Sequence, residues 1–312
     1  MSDKLKVALY WAASCGGCEI AVLDVNEKIL DIVEKADIVF WPVAIDIKYK
    51  DVEAMPDKSI DACLFNGAIR TEEQEHMAKL LRKKSKILVA FGSCACDGDV
   101  VGLGNLWDKE TIFERAYSET PSTKNPDKTT PQTSTTIKEG KLTLPEFYDT
   151  VKTLGQTVDV DYYLSGCPPP IPCVLQAFQA IITGNLPPKG SSLLPKKSIC
   201  EECPREKKDR QLTEIKRIYE IDDDQETCFW DQGVVCMGPA TRAGCGAQCP
   251  NVNMPCTGCD GPGPLVTDQG AAIVSALSSI ATKPEIMKQI VDPMGTFYKY
   301  SLAHSILRRK VM

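Results

Sequence analysis

The sequence predicts an α/β protein. A parallel sheet covered on both faces spans residues 1–185, and a loop-rich unit with a few C-terminal helices follows over 186–312. Two observations carry this. Short apolar runs alternate with segments of helical periodicity in the first part, as in strands joined by crossover helices. From Leu186 the composition changes: eight cysteines fall between Cys200 and Cys259 among many glycines and prolines, without long apolar periodicity.

Taken in order, residues 7–12 (VALYWA) form a continuous apolar run read as the first strand. After the loop SCGGC, residues 19–35 place Val22, Val25, Ile29, Ile32 and Val33 at helical spacing. Further strands are expected at 37–43 (DIVFWPV), 62–68 (ACLFNGA), 86–92 (KILVAFG) and 161–165 (DYYLS). The run Thr71-Glu72-Glu73-Gln74 is a capping box, so a helix starts there. The last helix of this part has Pro172 in its first turn and Gly184 at its end. The Ser/Thr/Pro-rich segment 117–140 reads as a surface excursion.

Twelve of the fifteen cysteines sort into three sets of four. Cys15, Cys18, Cys94 and Cys167 all follow strands, at the carboxyl ends where open α/β sheets bind ligands. Four thiolates from three loops make the ligand set of a cubane iron–sulfur cluster. Glycines Gly16, Gly17, Gly92 and Gly166 let the backbone turn close to such a group. The other two sets are Cys200, Cys203, Cys228, Cys236 and Cys245, Cys249, Cys256, Cys259. Their region is expected to lack a conventional core and to be ordered by what its cysteines bind. Zinc is the rival there, because four-cysteine sites also suit it. The plain reading of Cys94 or Cys167 is a small buried apolar residue.

Other classes are less well supported. The cysteine count is odd, and the N-terminal MSDKLKVAL has neither a leader pattern nor a twin-arginine pair, so a cytoplasmic chain with reduced thiols is expected. A net charge of −6 offers nucleic acid no general attraction. No apolar run approaches the roughly 20 residues needed to cross a bilayer. SCGGC is neither a dinucleotide nor a P-loop fingerprint, although a C-x-x-C after a strand also suits thiol redox chemistry. His76 and His304 read as helix residues rather than ligands.

The combination C-G-G-C-E (Cys15 to Glu19), G-S-C-A (Gly92 to Ala95), G-C-P-P (Gly166 to Pro169) and P-C-T-G-C (Pro255 to Cys259) resembles the small subunit of [NiFe] hydrogenases. The resemblance implies a flavodoxin-like first domain and an iron–sulfur second domain. It implies three [4Fe–4S] clusters: a proximal one on Cys15, Cys18, Cys94 and Cys167, facing the nickel–iron centre of a separate large subunit; a medial one on Cys245, Cys256 and Cys259, to which Cys249 adds a fourth thiolate; and a distal one on Cys203, Cys228 and Cys236, to which Cys200 adds another. Cys249 stands where many relatives have proline, and Cys200 where periplasmic members have histidine. Both changes favour low-potential cubanes. The Cys228-x7-Cys236 spacing is longer than usual in the family, and Asn66 stands where many relatives carry an acid.

Within the family the chain looks like the F420-non-reducing, viologen-reducing hydrogenase of methanogenic archaea. That likeness implies a [2Fe–2S] delta subunit and heterodisulfide reductase as partners. No catalytic residue is expected on this chain, which lacks the D-P-C-x-x-C pairs that bind nickel and iron. A subunit of another respiratory or quinone-reducing complex shares G-S-C-A and G-C-P-P but not the eight extra cysteines. A zinc-ordered scaffold or nucleic-acid module is the reading from another class. Cys63 is expected in the core, and Cys96 and Cys173 near the proximal ligands, where they either surround the ligands or substitute for one.

Overall fold

A computed structural model describes residues 4–208, 211–222 and 224–307. Its strands are β1 (Leu5–Trp11), β2 (Ala36–Phe40), β3 (Ile60–Asn66), β4 (Ile69–Thr71), β5 (Ser85–Phe91), β6 (Ser134–Ile137), β7 (Gly140–Thr143), β8 (Phe147–Lys152), β9 (Tyr162–Leu164) and β10 (Ser191–Ser192). Six of them form one sheet in the order β10-β9-β5-β3-β1-β2, with every pairing parallel. This is the flavodoxin-like doubly wound order with a sixth strand added at the edge. The chain leaves β1 for β2 on one side and returns to β3 on the other, so a crevice opens beyond their carboxyl ends.

Alternation along the strands divides the core in two. Val7, Leu9, Ala62, Leu64, Val89 and Phe91 face the helices Gly17–Leu23, Ile29–Lys35 and Ile171–Thr183, where Val22, Ile32 and Phe178 meet them. Ala8, Tyr10, Cys63, Phe65, Leu88 and Ala90 face the other way, onto Met77, Ala78 and Leu81 of the helix Glu72–Lys84. That helix opens on the expected box: Gln74 N–H donates to Thr71 Oγ1, and Gln74 Oε1 accepts from Thr71 N at 3.0 Å. At the amino end of the sheet, Asp161 accepts from Arg82 Nη1 and Lys189 Nζ, both at 2.6 Å, and from Leu88 N at 2.8 Å.

Three local expectations differ from what forms. The helix foreseen over 19–35 is broken into Gly17–Leu23 and Ile29–Lys35, because Asn26 takes φ 53, a left-handed conformation that asparagine tolerates. The strand foreseen over 37–43 ends at Phe40, where Trp41 turns its indole onto Glu19 and Pro42 has no N–H for a ladder. The sheet also runs past residue 185: β10 pairs with β9, and Leu194 joins the first core.

The second unit has a core of its own, contrary to the expectation that it would lack one and be ordered chiefly by what its cysteines bind. Ile199, Leu212, Phe229, Trp230, Ile273, Leu277, Phe297 and Leu302 are packed together. Ile273 and Leu277 come from the helix Gln269–Ile280, which follows the last cysteine and therefore lies outside the stretch read as coreless. Asp268 caps this helix through Ala271 N at 2.9 Å and also accepts from Ile306 N at 3.0 Å. Gly270 lets it approach the Tyr298 ring, which an added Cβ would meet at 2.5 Å. The segment after Tyr117 forms the exposed β6–β7 hairpin. Among the described residues no helix is long and apolar enough to cross a membrane.

Candidate metal centres

The first set of cysteines assembles beyond the carboxyl ends of β1, β5 and β9. Gly16, at φ 82, turns the chain after β1 and places Cys18 in the first turn of the helix Gly17–Leu23. Gly92, at φ 86, turns it after β5 and places Cys94 in the helix Ser93–Asp97; a Cβ on Gly92 would overlap the Cys18 sulfur. Cys167 follows β9 in a loop stitched to the Cys94 loop, with Ser93 N donating to Gly166 O at 2.9 Å and Gly166 N to Ser93 Oγ at 3.0 Å. Ser93 Oγ also donates to the Cys259 carbonyl and so ties this site to the next one.

These four thiols lie within one another's field. Burial pushes Cys18 far up, and the charges of Cys167, Cys15 and Glu19 add to it. Cys94 is likewise raised by burial, then by Asp99, Cys18, Cys167 and Cys15. Cys167 is pushed up to about 12 by burial and Asp99, with Cys15 contributing. Asp99, held at φ 50, is a buried carboxyl facing Cys94 and Cys167 that the sequence did not mark. Glu19 is buried as well: burial raises its carboxyl, opposed by Trp41 Nε1, which donates to Oε2, and by Asn66.

Cys245, Cys249, Cys256 and Cys259 gather next to them. Burial and Asp260 raise Cys259, followed by Cys245, Cys249 and, from the first set, Cys167. Cys245 is pushed up to about 11 by burial and Asp260. Cys256 is raised by burial, then by Cys236 of the remaining set and by Cys259. Gln269 clamps the loop, its Nε2 lying 2.9 Å from Gly258 O, 3.2 Å from Gly261 O and 3.1 Å from Thr241 Oγ1. Gln269→Leu removes one of two donors from each carbonyl, since Gly258 O keeps Gly261 N and Gly261 O keeps Arg242 N, and is expected to cost about 1 kcal/mol. Urea unfolding of the purified complex checks this, and an unchanged midpoint would show that the clamp is dispensable.

Cys200, Cys203, Cys228 and Cys236 line a single cavity together with Cys256, Arg205, Phe229 and Trp230. The long spacing from Cys228 to Cys236 is accommodated because Phe229, Trp230 and Val234 sink into the core. Gly233 turns the chain at φ 84, and Trp230 Nε1 donates to Cys236 O at 2.8 Å. A Cβ on Gly238 would lie 3.0 Å from the Cys200 sulfur, so the wall of the cavity is close-fitted around its thiols.

No disulfide joins any of the fifteen cysteines. Among the described residues no three Cys, His, Asp or Glu side chains converge on a point fit for a single metal ion. Four thiols lining one cavity, as Cys200, Cys203, Cys228 and Cys236 do, fit the ligand set of a cubane cluster, and a four-cysteine zinc site uses the same donors. Of the remaining cysteines, Cys63 is in the core as expected. Cys96 is buried and donates to Ala90 O at 3.3 Å, and Cys173 donates to Gly244 O at 3.5 Å, beside Cys245. His76 and His304 lie near carboxylates, Glu53 at 3.5 Å and Asp97 at 3.3 Å.

Comparison with known proteins shows the family. The family model described as NADH ubiquinone oxidoreductase, 20 Kd subunit, matches residues 15–181. The iron-sulfur subunit of the F420-non-reducing hydrogenase of Archaeoglobus profundus is 44% identical over 98% of this chain and 99% of that protein. Its namesake from the F420-non-reducing hydrogenase of Methanothermobacter thermautotrophicus is 36% identical over 100% of this chain and 98% of that protein. In fold, the chain superposes on a chain of the H2-activated [NiFeSe]-hydrogenase of Dm. baculatum with TM-score 0.51 at 17% identity, covering 84% of this chain and 95% of that one. The family model is named for a respiratory complex and stops at residue 181, but the relatives span the second unit too. The chain therefore belongs to the hydrogenase iron–sulfur small subunits, in their F420-non-reducing branch.

Proposed function

We propose that the chain carries electrons from H2, oxidised on a separate large subunit, through three [4Fe–4S] clusters toward a [2Fe–2S] delta subunit and heterodisulfide reductase. Cys15, Cys18, Cys94 and Cys167 would hold the proximal cluster, Cys245, Cys249, Cys256 and Cys259 the medial one, and Cys200, Cys203, Cys228 and Cys236 the distal one. The clusters supply reversible one-electron chemistry. The observation that supports this reading is contiguity of the sets: Ser93, beside Cys94, donates to the Cys259 carbonyl, and Cys256 lines the cavity of Cys200, Cys203, Cys228 and Cys236. Neighbouring sets of this kind suit a relay in which each cluster passes electrons to the next.

The first set also fits a catalytic partner. Cys15 and Cys167 are exposed, and Trp11, Ile20 and Leu23 beside them present apolar surface. An apolar rim of this kind suits a protein partner better than water.

Cys249→Ala in the purified complex removes the donor that separates a four-iron from a three-iron medial centre. Electron paramagnetic resonance is expected to show the medial four-iron signal lost, with the proximal and distal signals kept; an intact medial four-iron centre would overturn the ligand assignment. Copurification from native cells tests the partners. Recovery of the chain without a nickel-binding large subunit would end the proposed route.

A further inference from the structure

Arg205 is buried and lines the cavity of Cys200, Cys203, Cys228 and Cys236. Its guanidinium stacks 4.0 Å over the Phe229 ring. Nη1 donates to Asp224 O at 2.8 Å and Thr227 O at 2.9 Å, and Nη2 to Asn253 Oδ1 at 2.6 Å and Pro250 O at 3.5 Å. Nε has no partner. No carboxylate among the described residues forms an ion pair with it. Asp224 turns its own carboxylate to the N–H groups of Glu226 and Thr227, at 2.8 and 2.9 Å. A guanidinium does not give up its proton, and a buried cation without a counter-charge is unfavourable. The cavity is where that counter-charge belongs.

The other two sets of thiols have the opposite surroundings. Glu19 and Asp99 are buried against the first set, and Asp260 is buried against Cys245 and Cys259. Only the Cys200 cavity has a buried cation on its wall among the described residues.

We propose that Arg205 is the counter-charge of the cluster held by Cys200, Cys203, Cys228 and Cys236, and that it raises this cluster's reduction potential above those of the other two. The inference rests on the ligand sets proposed above. Reduction adds one electron, and hence one negative charge, to the thiolate-bound group without a proton. A fixed cation with a spare N–H therefore stabilises the reduced form more than the oxidised one. Electrons entering near Cys15 and Cys167 would then collect at the opposite end of the series.

The test is potentiometric titration of the purified complex followed by electron paramagnetic resonance, in Arg205→Met and Arg205→Lys variants. Arg205→Met keeps an apolar stem over Phe229 and removes the charge. The oxidised-to-reduced ratio of the distal cluster at fixed potential is expected to rise about tenfold or more, equivalent to about 59 mV for one electron, with proximal and medial potentials unchanged. Arg205→Lys keeps the charge without the fork and is expected to hold the distal potential near that of the parent. Equal shifts in all three clusters, or no shift in the methionine variant, would overturn the proposal. Should the methionine variant lose the cluster, the lysine variant decides, since a fall in its distal potential would show that charge is not what matters. Absence of a distal four-iron signal in the parent complex would instead refute the ligand reading.

Discussion

Replacing Gly92 by alanine is expected to abolish electron delivery while leaving most of the fold intact. The residue sits at φ 86 and ψ 158, a region that side chains rarely adopt, and its added Cβ would overlap the Cys18 sulfur. Backbone strain and collision act together at the point where two of the first four thiols approach. Iron in the purified complex should fall by about four atoms per chain if the site can no longer hold a cubane. H2-driven dye reduction should fall by about a hundredfold or more, the effect of misplacing reacting groups by about an ångström. Gly184→Ala is the control. It also sits at positive φ, 70, at the end of Ile171–Thr183, but nothing lies within 4 Å of its missing Cβ. That variant should cost about 1 kcal/mol and retain its iron. Full iron and activity in Gly92→Ala would mean that Cys18 and Cys94 do not share a ligand.

The largest expected loss of stability comes from Asp161→Asn. Burial alone would raise this carboxyl, but Arg82, Lys189 and the Leu88 N–H outweigh it and hold it below the usual carboxylate range. Its contribution is therefore present in full above the unfolded carboxyl's pKa, about 3.9, and disappears as pH falls through the lower folded value. Removing the charge leaves Arg82 without its carboxylate partner and should cost about 3 kcal/mol near neutral pH. Urea midpoints of parent and variant measured across pH are the check. The gap should be full at pH of about 6–7 and close below about pH 4. A gap that ignores pH would show that Asp161 acts by shape and not by charge.

The strand and helix order of the first unit was legible because its signals are local. Thr71 and Gln74 cap a helix by contacting each other, and the burial of β1, β3 and β5 follows from apolar runs a few residues long. Cysteines after strands could be placed at one end of a parallel sheet by topology alone. The break at Asn26 was not legible, since a left-handed asparagine leaves no mark on apolar spacing. The second core was missed for a related reason: Ile273 and Leu277 pack onto Phe229 and Trp230 from beyond the cysteine-rich stretch in which a core was sought.

Ser93, Asp99, Arg205, Asp260 and Gln269 went unmarked because their partners are distant in sequence or reached only through a turn. Ser93 meets the carbonyl of Cys259, 166 residues away, and a G-S-C motif gives no hint of that bond. Nothing in the sequence marks Arg205, and only folding buries it with no acid paired to it among the described residues.

The amino-acid order alone thus determined the class of fold and the family likeness, and suggested the three sets of thiols, since these rest on local periodicity, spacing and short motifs. Only the tertiary structure decided which set borders which, through Ser93 with the Cys259 carbonyl and Cys256 in the cavity of Cys200, and which buried charges face each set. Such neighbours are set by how the sheet, the loops at its end and the helix Gln269–Ile280 pack together, and long-range packing leaves no period in the chain.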